Sequence, residues 1–280
     1  MNSGLSVPDY ARPQSMTEAL RLLAECGWRV LAGGTDLYPG AGTRLTGPVL
    51  DLGGLALSGI ETGEGLRIGG ATPWAAIAEA DLPLACRALQ QAARQVGGRQ
   101  VQVAGTIGGN LCNASPAADG VPPLLALEAE VELVSVAGRR RLALRDFLLG
   151  PRRTALKPGE ILAAVVIPEA ALAGRSTFVK LGARSHLVIS IAMVAARLVV
   201  EGGQVRGASV AVGSCSPVAV RLPAVEAALA GASVAEAVDR VTAADVQAAL
   251  SPIDDVRATA GYRRVAAVEL VRRAVGEALA

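Results

Sequence analysis

The sequence predicts an α+β fold in two parts, residues 1–172 and 173–280. Three observations carry this reading. Short apolar runs of strand length are interleaved with segments of helical periodicity. Composition shifts at Pro168–Gly174, which marks a boundary. Beyond that boundary two long apolar runs meet at Gly202-Gly203, a strong hairpin signal.

Each element has a local cause. Ser15-Met16-Thr17-Glu18 is a capping box, the apolar residues Ala19, Leu22 and Leu23 follow at helical spacing, and Gly27 stops the helix. Trp28–Ala32 is a short strand that runs into the Gly33-Gly34 turn, where Thr35 or Asp36 can cap the next element. Strands follow at 49–52 and 66–68. Thr72 as N-cap and Pro73 at the first helical position start the next helix. A helix covers 83–96, a short one 122–127, and 131–136 pairs with 141–144 around Gly138 before a strand at 161–167. In the second part 177–181, 190–200 and 205–212 make a three-stranded antiparallel sheet. Helices at 223–229, 234–241, 243–250 and 259–279 cover it.

Composition excludes several functions. With 280 residues and 51% hydrophobic side chains the chain builds a substantial core and is not disordered. Two per cent aromatics and a net charge of +2 speak against a nucleic-acid surface. Met1–Leu5 shows no signal peptide, and the most apolar run, Leu187–Val200, contains Arg197 and is too short to span a bilayer. The expectation is a soluble, cytoplasmic protein. Cys26, Cys86, Cys112 and Cys215 are scattered with no C-x-x-C pair, so they read as free thiols and not as zinc or iron–sulfur ligands. His186 stands alone, without a partner for metal or acid–base work. Asp254, Asp255, Arg257 and Arg263 read as an ion-pair network that locks the last helix, and Arg139–Arg141 as a solvated turn.

Two glycine-rich segments could carry chemistry. Ala32-Gly33-Gly34-Thr35-Asp36-Leu37 follows a strand, and its glycines let backbone N–H groups approach an anion. Thr106-Ile107-Gly108-Gly109-Asn110 again joins a hydroxyl, two glycines and an amide. Each alone is more often a structural turn, since glycine serves any residue that needs a positive φ. Together they suit a diphosphate gripped from two sides. Neither is G-x-G-x-x-G, and no G-x-x-x-x-G-K-[ST] occurs, so a Rossmann site and a P-loop are both disfavoured.

Leu31–Leu37 (LAGGTDL), followed some seventy residues later by Ala104–Asn110 (AGTIGGN), resembles the paired FAD-diphosphate signature of the molybdenum hydroxylase flavin subunits, the family of xanthine and carbon monoxide dehydrogenases. Ser115-Pro116-Ala117-Ala118-Asp119 resembles the family's S-P-x-x-D segment. Glu160-Ile161-Leu162, Lys180, Asp254–Arg257 and Tyr262-Arg263 also fit. The likeness runs from about residue 5 to the C-terminus.

The resemblance implies an FAD-binding first part of the vanillyl-alcohol oxidase-like type and a second part like the carbon monoxide dehydrogenase flavoprotein C-terminal domain. It implies noncovalent FAD held by Ala32, Gly33, Gly34, Thr35, Asp36 and Leu37 on one side and by Thr106, Ile107, Gly108, Gly109 and Asn110 on the other. Asp119 would hydrogen-bond the cofactor, Leu162 would pack against it, and Lys180 would stabilise the anionic reduced flavin. No residue of the chain is expected to be catalytic in itself or to bind metal. Molybdopterin and [2Fe–2S] clusters would sit on a large and a small partner subunit, in a dimer of heterotrimers. Electrons would pass through FAD to NAD, oxygen or another acceptor, with Arg139–Arg141 and 184–188 as candidate contact surfaces. The alternative is a stand-alone FAD-dependent oxidase or reductase, which would need an acid–base pair that the loops do not offer.

Overall fold

The computed structural model describes residues 10–25, 27–42 and 45–280. Cys26, and the N-terminal stretch read for a signal peptide, lie outside the described residues. The first helix, α1 (Met16–Ala24), begins as its capping box predicts, with Ser15 Oγ accepting the Glu18 N–H at 3.2 Å. The Glu18 carboxylate reaches one residue further back than expected and accepts from the Gln14 N–H at 3.1 Å.

Two sheets build the first part. β1 (Tyr10–Ala11), β2 (Arg29–Leu31) and β3 (Val49–Asp51) form a small parallel sheet in the order β1-β3-β2. β4 (Ile60–Gly63), β5 (Gly65–Gly69), β6 (Glu130–Ser135), β7 (Gly138–Ala143) and β10 (Ile161–Ile167) form an antiparallel sheet in the order β4-β5-β10-β6-β7. β10 is its central strand, and all seven of its residues are buried. Its apolar run therefore shows no alternation. The short pair β8 (Leu148–Gly150) and β9 (Arg153–Thr154) stands apart.

Short helices fill the long span between β5 and β6. They are α3 (Trp74–Glu79), α4 (Arg87–Gln95), α5 (Arg99–Ala104), α6 (Ile107–Asn113) and α7 (Val121–Ala126). Before them α2 (Leu37–Gly40) follows the first glycine turn, and α8 (Leu144–Phe147) links β7 to β8. Thr72 does not cap α3. Its hydroxyl exchanges two 3.0 Å hydrogen bonds with the backbone of Gly59, so Pro73 takes the N-cap position and the helix starts at Trp74.

In the second part the sheet has four strands, not three. β11 (Arg175–Leu181), β12 (Ala192–Glu201) and β13 (Gln204–Gly213) are joined at the edge by β14 (Val220–Arg221), in the order β11-β12-β13-β14. β14 pairs only through Ala211–Arg221 and Val212–Val220, too short a stretch to carry an alternation. α9 (Pro223–Leu229), α10 (Ala243–Gln247) and α11 (Ala260–Leu279) cover it. The expected helix at 234–241 is a run of turns over 234–240, and at its end the Val241 N–H bonds Val238 O.

The two parts meet at a seam that positions the site. A small cluster, Ala88, Ala92, Ala126, Phe178, Met193 and Ala195, lets α4 and α7 approach the sheet closely. Ser176 Oγ donates to Ala85 O at 2.6 Å and accepts from the Ala88 N–H at 2.8 Å. At the other end of the seam the last carbonyls of α7 receive guanidinium groups. Arg197 reaches Ala126 O at 2.9 Å and Arg221 reaches Leu125 O at 3.2 Å. Asp255 takes Arg263 at 2.7 Å and Arg257 at 3.0 Å ahead of α11. Cys86 and Cys215 are buried and Cys112 is partly buried, all as free thiols. Among the described residues, no helix is long and apolar enough to cross a membrane.

Candidate functional site

The two glycine turns close on one cleft of about 390 Å³. Ala32, Gly33, Gly34, Thr35, Asp36 and Leu37 line it from the β2–α2 turn. Thr106, Gly108, Gly109 and Asn110 line it from the start of α6. Leu162, on β10, lines it as well and is itself 5% exposed. Trp74, Val96, Val101 and Leu156 supply an apolar wall, and among the described residues no lysine or arginine lines the cleft.

The turns touch one another. A Cβ on Gly33 would stand 1.9 Å from the Ala104 carbonyl oxygen, and one on Gly105 would stand 3.3 Å from Thr35 Oγ1. Gly34 has φ +71°, and a Cβ there would also strike the Tyr38 ring. Gly108 lies against the backbone of Gly70, to whose carbonyl its N–H donates at 2.9 Å. These glycines are required by protein backbone. Gly109 differs, since a Cβ there would meet only Thr106 Oγ1, at 3.0 Å.

Donors are distributed unequally. In the second turn the N–H groups of Ile107, Gly108, Gly109 and Asn110 go to Thr72 O, Gly70 O, Thr106 Oγ1 and Thr106 O. In the first turn, the N–H groups of Gly33, Gly34, Thr35 and Asp36 find no acceptor among the described residues. A run of such donors around glycines is an anion-binding concavity. The Asn110 Oδ1 is buried and has no partner among the described residues. Free donors, an orphaned amide oxygen and an apolar wall fit a long cofactor with an anionic middle. The cleft's carboxylates are Asp36 and Glu160, and Glu160 is spent on Arg140, at 2.7 and 2.8 Å. Those hydrogen bonds hold its carboxyl below the usual range.

Three of the residues singled out from sequence stand elsewhere. Ile107 is fully buried in the core. Asp119 and Lys180 do not line the cleft and pair with each other at 2.6 Å, both nearly buried. The Lys180 ammonium also donates to Gln95 O at 3.4 Å, and the next residue, Val96, is cleft wall. Burial pushes the Asp119 carboxyl up, opposed by Lys180 and by the Ser190 hydroxyl. Sequence reading missed Gly70, Val96, Val101 and Leu156 as wall residues; only Gly70, in its Gly69-Gly70 pair, left a signal. It also missed Ser190. Cys112 lines the cleft with its thiol pushed up to about 12 by burial. His186 is exposed on the loop after β11.

Residues 4–170 match the family model described as the FAD binding domain in molybdopterin dehydrogenase. Residues 177–278 match the CO dehydrogenase flavoprotein C-terminal domain. The glyceraldehyde dehydrogenase medium chain of Sulfolobus acidocaldarius is 31% identical over 96% of this chain and 97% of its own length. The carbon monoxide dehydrogenase medium chain of Afipia carboxidovorans is 32% identical over 97% and 96%. Among solved structures, the Cu,Mo-CO dehydrogenase superposes with a TM-score of 0.87 at 32% identity, over 98% of this chain and 99% of that one. Quinoline 2-oxidoreductase from Pseudomonas putida 86 gives 0.87 at 26% identity, over 98% and 97%. Fold and cleft thus define an FAD-binding oxidoreductase subunit. The chain belongs to the molybdenum hydroxylase family, as one of its FAD-binding medium subunits.

Proposed function

We propose that the chain is the electron relay of a heteromeric molybdenum hydroxylase, and that the cleft between the two glycine turns is where it holds FAD. The observation that carries this is the convergence of both turns on one cleft whose first wall offers backbone donors that are uncommitted among the described residues. Gly33–Asp36 would take the diphosphate through N–H groups, while Thr106 and Asn110 would supply a hydroxyl and an amide from the facing side. Gly108 and Ile107 would set the backbone of that side. Ala32, Leu37 and Leu162 would close apolar walls on the cofactor, and Gly109 would leave it room. Lys180, held by Asp119 behind Val96, would bring positive charge to the flavin end, where it favours the reduced, anionic form.

Bound FAD supplies two-electron and one-electron chemistry between a cluster donor and NAD, oxygen or another acceptor. The cysteines at 86, 112 and 215 are scattered, so this reading places the [2Fe–2S] clusters on a small partner subunit and molybdopterin on a large one. It further takes the assembly to be a cytoplasmic dimer of heterotrimers, with this chain divided at residues 172 and 173. Medium-chain relatives named for carbon monoxide and glyceraldehyde dehydrogenases support the reading. The test is anaerobic mixing of the FAD-loaded chain with hydroxylase substrates. The flavin stays oxidised until both partner subunits are added. Rapid bleaching by substrate with this chain alone would instead establish a stand-alone flavoenzyme.

A further inference from the structure

Ser190 lies in the loop between β11 and β12, two residues before β12, and nothing in its local sequence marks it. Its neighbour Ile189 is 52% exposed, yet Ser190 itself is 1% exposed. Its hydroxyl donates to Asp119 Oδ1 at 2.6 Å, while Asp119 Oδ2 holds the Lys180 ammonium at 2.6 Å. The residue that follows it, Ile191, is held through both of its backbone groups. The Ile191 N–H donates to Leu181 O at 2.8 Å, and the Ile191 carbonyl accepts from the Arg263 guanidinium.

We propose that Ser190 is a positioning residue for the flavin end of the cleft: it fixes the plane of the Asp119 carboxylate and so the place of the Lys180 ammonium behind Val96. The inference rests on the proposed role of Lys180 and extends it to a third residue. A carboxylate held through one oxygen can turn about its Cβ–Cγ bond and carry its cation along. Held through both oxygens, it presents the ammonium in one place. The ammonium's other hydrogen bond among the described residues is the long 3.4 Å one to Gln95 O, which alone does not anchor it. Without the hydroxyl a buried carboxylate oxygen would lose its partner, and the pair would reorganise to regain one. The burial that pushes the Asp119 carboxyl up makes the hydroxyl's support of the ionised form more important.

The test compares Lys180→Met, Ser190→Ala and Ser190→Thr in the purified, FAD-loaded full chain. Three quantities are read: the midpoint potential of the bound FAD, its dissociation constant, and the melting temperature of the FAD-free protein. The expected result is a lowered potential in K180M, a smaller drop in the same direction in S190A, and a potential within error of the parent in S190T, which keeps the hydroxyl. If K180M lowers the potential and S190A leaves it unchanged, positioning by Ser190 is wrong while the Lys180 reading stands, even if S190A melts earlier. If K180M itself leaves potential and affinity unchanged, the Lys180 reading falls and this inference falls with it. Should S190A not fold, S190T and Ser190→Cys decide. The potential must then follow the ability of the side chain to donate to Asp119, and a potential indifferent to it overturns the proposal.

Discussion

The two glycine turns look alike in sequence and do different work in the structure. The second turn spends its backbone donors within the protein, on Thr72, Gly70 and Thr106. The first turn keeps those of Gly33–Asp36 uncommitted among the described residues. The glycines differ in the same way. Gly33 and Gly108 are small because another stretch of backbone lies against them, whereas a Cβ on Gly109 would meet only a side-chain oxygen, Thr106 Oγ1. A glycine-rich signature therefore marks a place where backbone comes close to something. It does not say whether that something is a ligand or the protein itself.

The largest test of this contrast is Gly33→Val. Its Cβ would fall 1.9 Å from Ala104 O, so the turns must separate. Stability should fall by about 3 kcal/mol or more, measured by chemical denaturation, and bound FAD should be lost with it. Retention of both stability and cofactor would break the account of how the turns lean on each other. Thr106→Ala is the next step down. It removes the N-cap of α6 and should cost about 1–2 kcal/mol, with Thr106→Ser restoring most of it. Gly109→Ala sharpens the contrast from the other side. It should change stability by no more than about 0.5 kcal/mol, because helix propensity gains what the contact with Thr106 Oγ1 loses. FAD affinity should nevertheless drop about tenfold, roughly 1.4 kcal/mol, as read by fluorescence titration. Equal affinity would show that the space beside Gly109 is not used.

A further expectation concerns Asp255, which pairs with Arg263 of α11. Burial pushes its carboxyl up, but the Arg257 and Ala258 N–H groups and the Arg263 guanidinium outweigh this and hold it at about 2. The folded value lies below the unfolded value of roughly 3.9. Its contribution is thus complete above about pH 4 and is lost as pH falls toward 2, on the order of 1 kcal/mol after allowance for its partial exposure. Asp255→Asn should flatten that part of the stability–pH curve.

Much of the fold was legible because its signals are local. The capping box at Ser15–Glu18, the hairpins at Gly138 and Gly202-Gly203, and the long last helix each follow from residues adjacent in sequence. The features that escaped depended on distant partners. Thr72 had the right neighbours for a cap, but Gly59, thirteen positions earlier, claims its hydroxyl. Val220–Arg221 is a strand only because the edge of β13 is free to pair. The run at 234–241 has helical composition but resolves into turns. In the cleft, the glycine turns announced themselves as motifs. Val96, Val101 and Leu156 are apolar residues whose role comes from position alone, and Ser190 matters only through Asp119, seventy-one positions away.

The central claim is that the cleft holds FAD without a covalent bond. The Cys112 thiol in its wall is pushed up to about 12, so it stays protonated and unreactive at neutral pH, and no histidine is among the lining residues. The direct measurement is the visible spectrum of the purified chain before and after acid precipitation. The expected result is a yellow protein that releases one FAD per chain into the supernatant and leaves a colourless pellet. A chain that is colourless and takes up no added FAD, or a pellet that stays yellow, would contradict it.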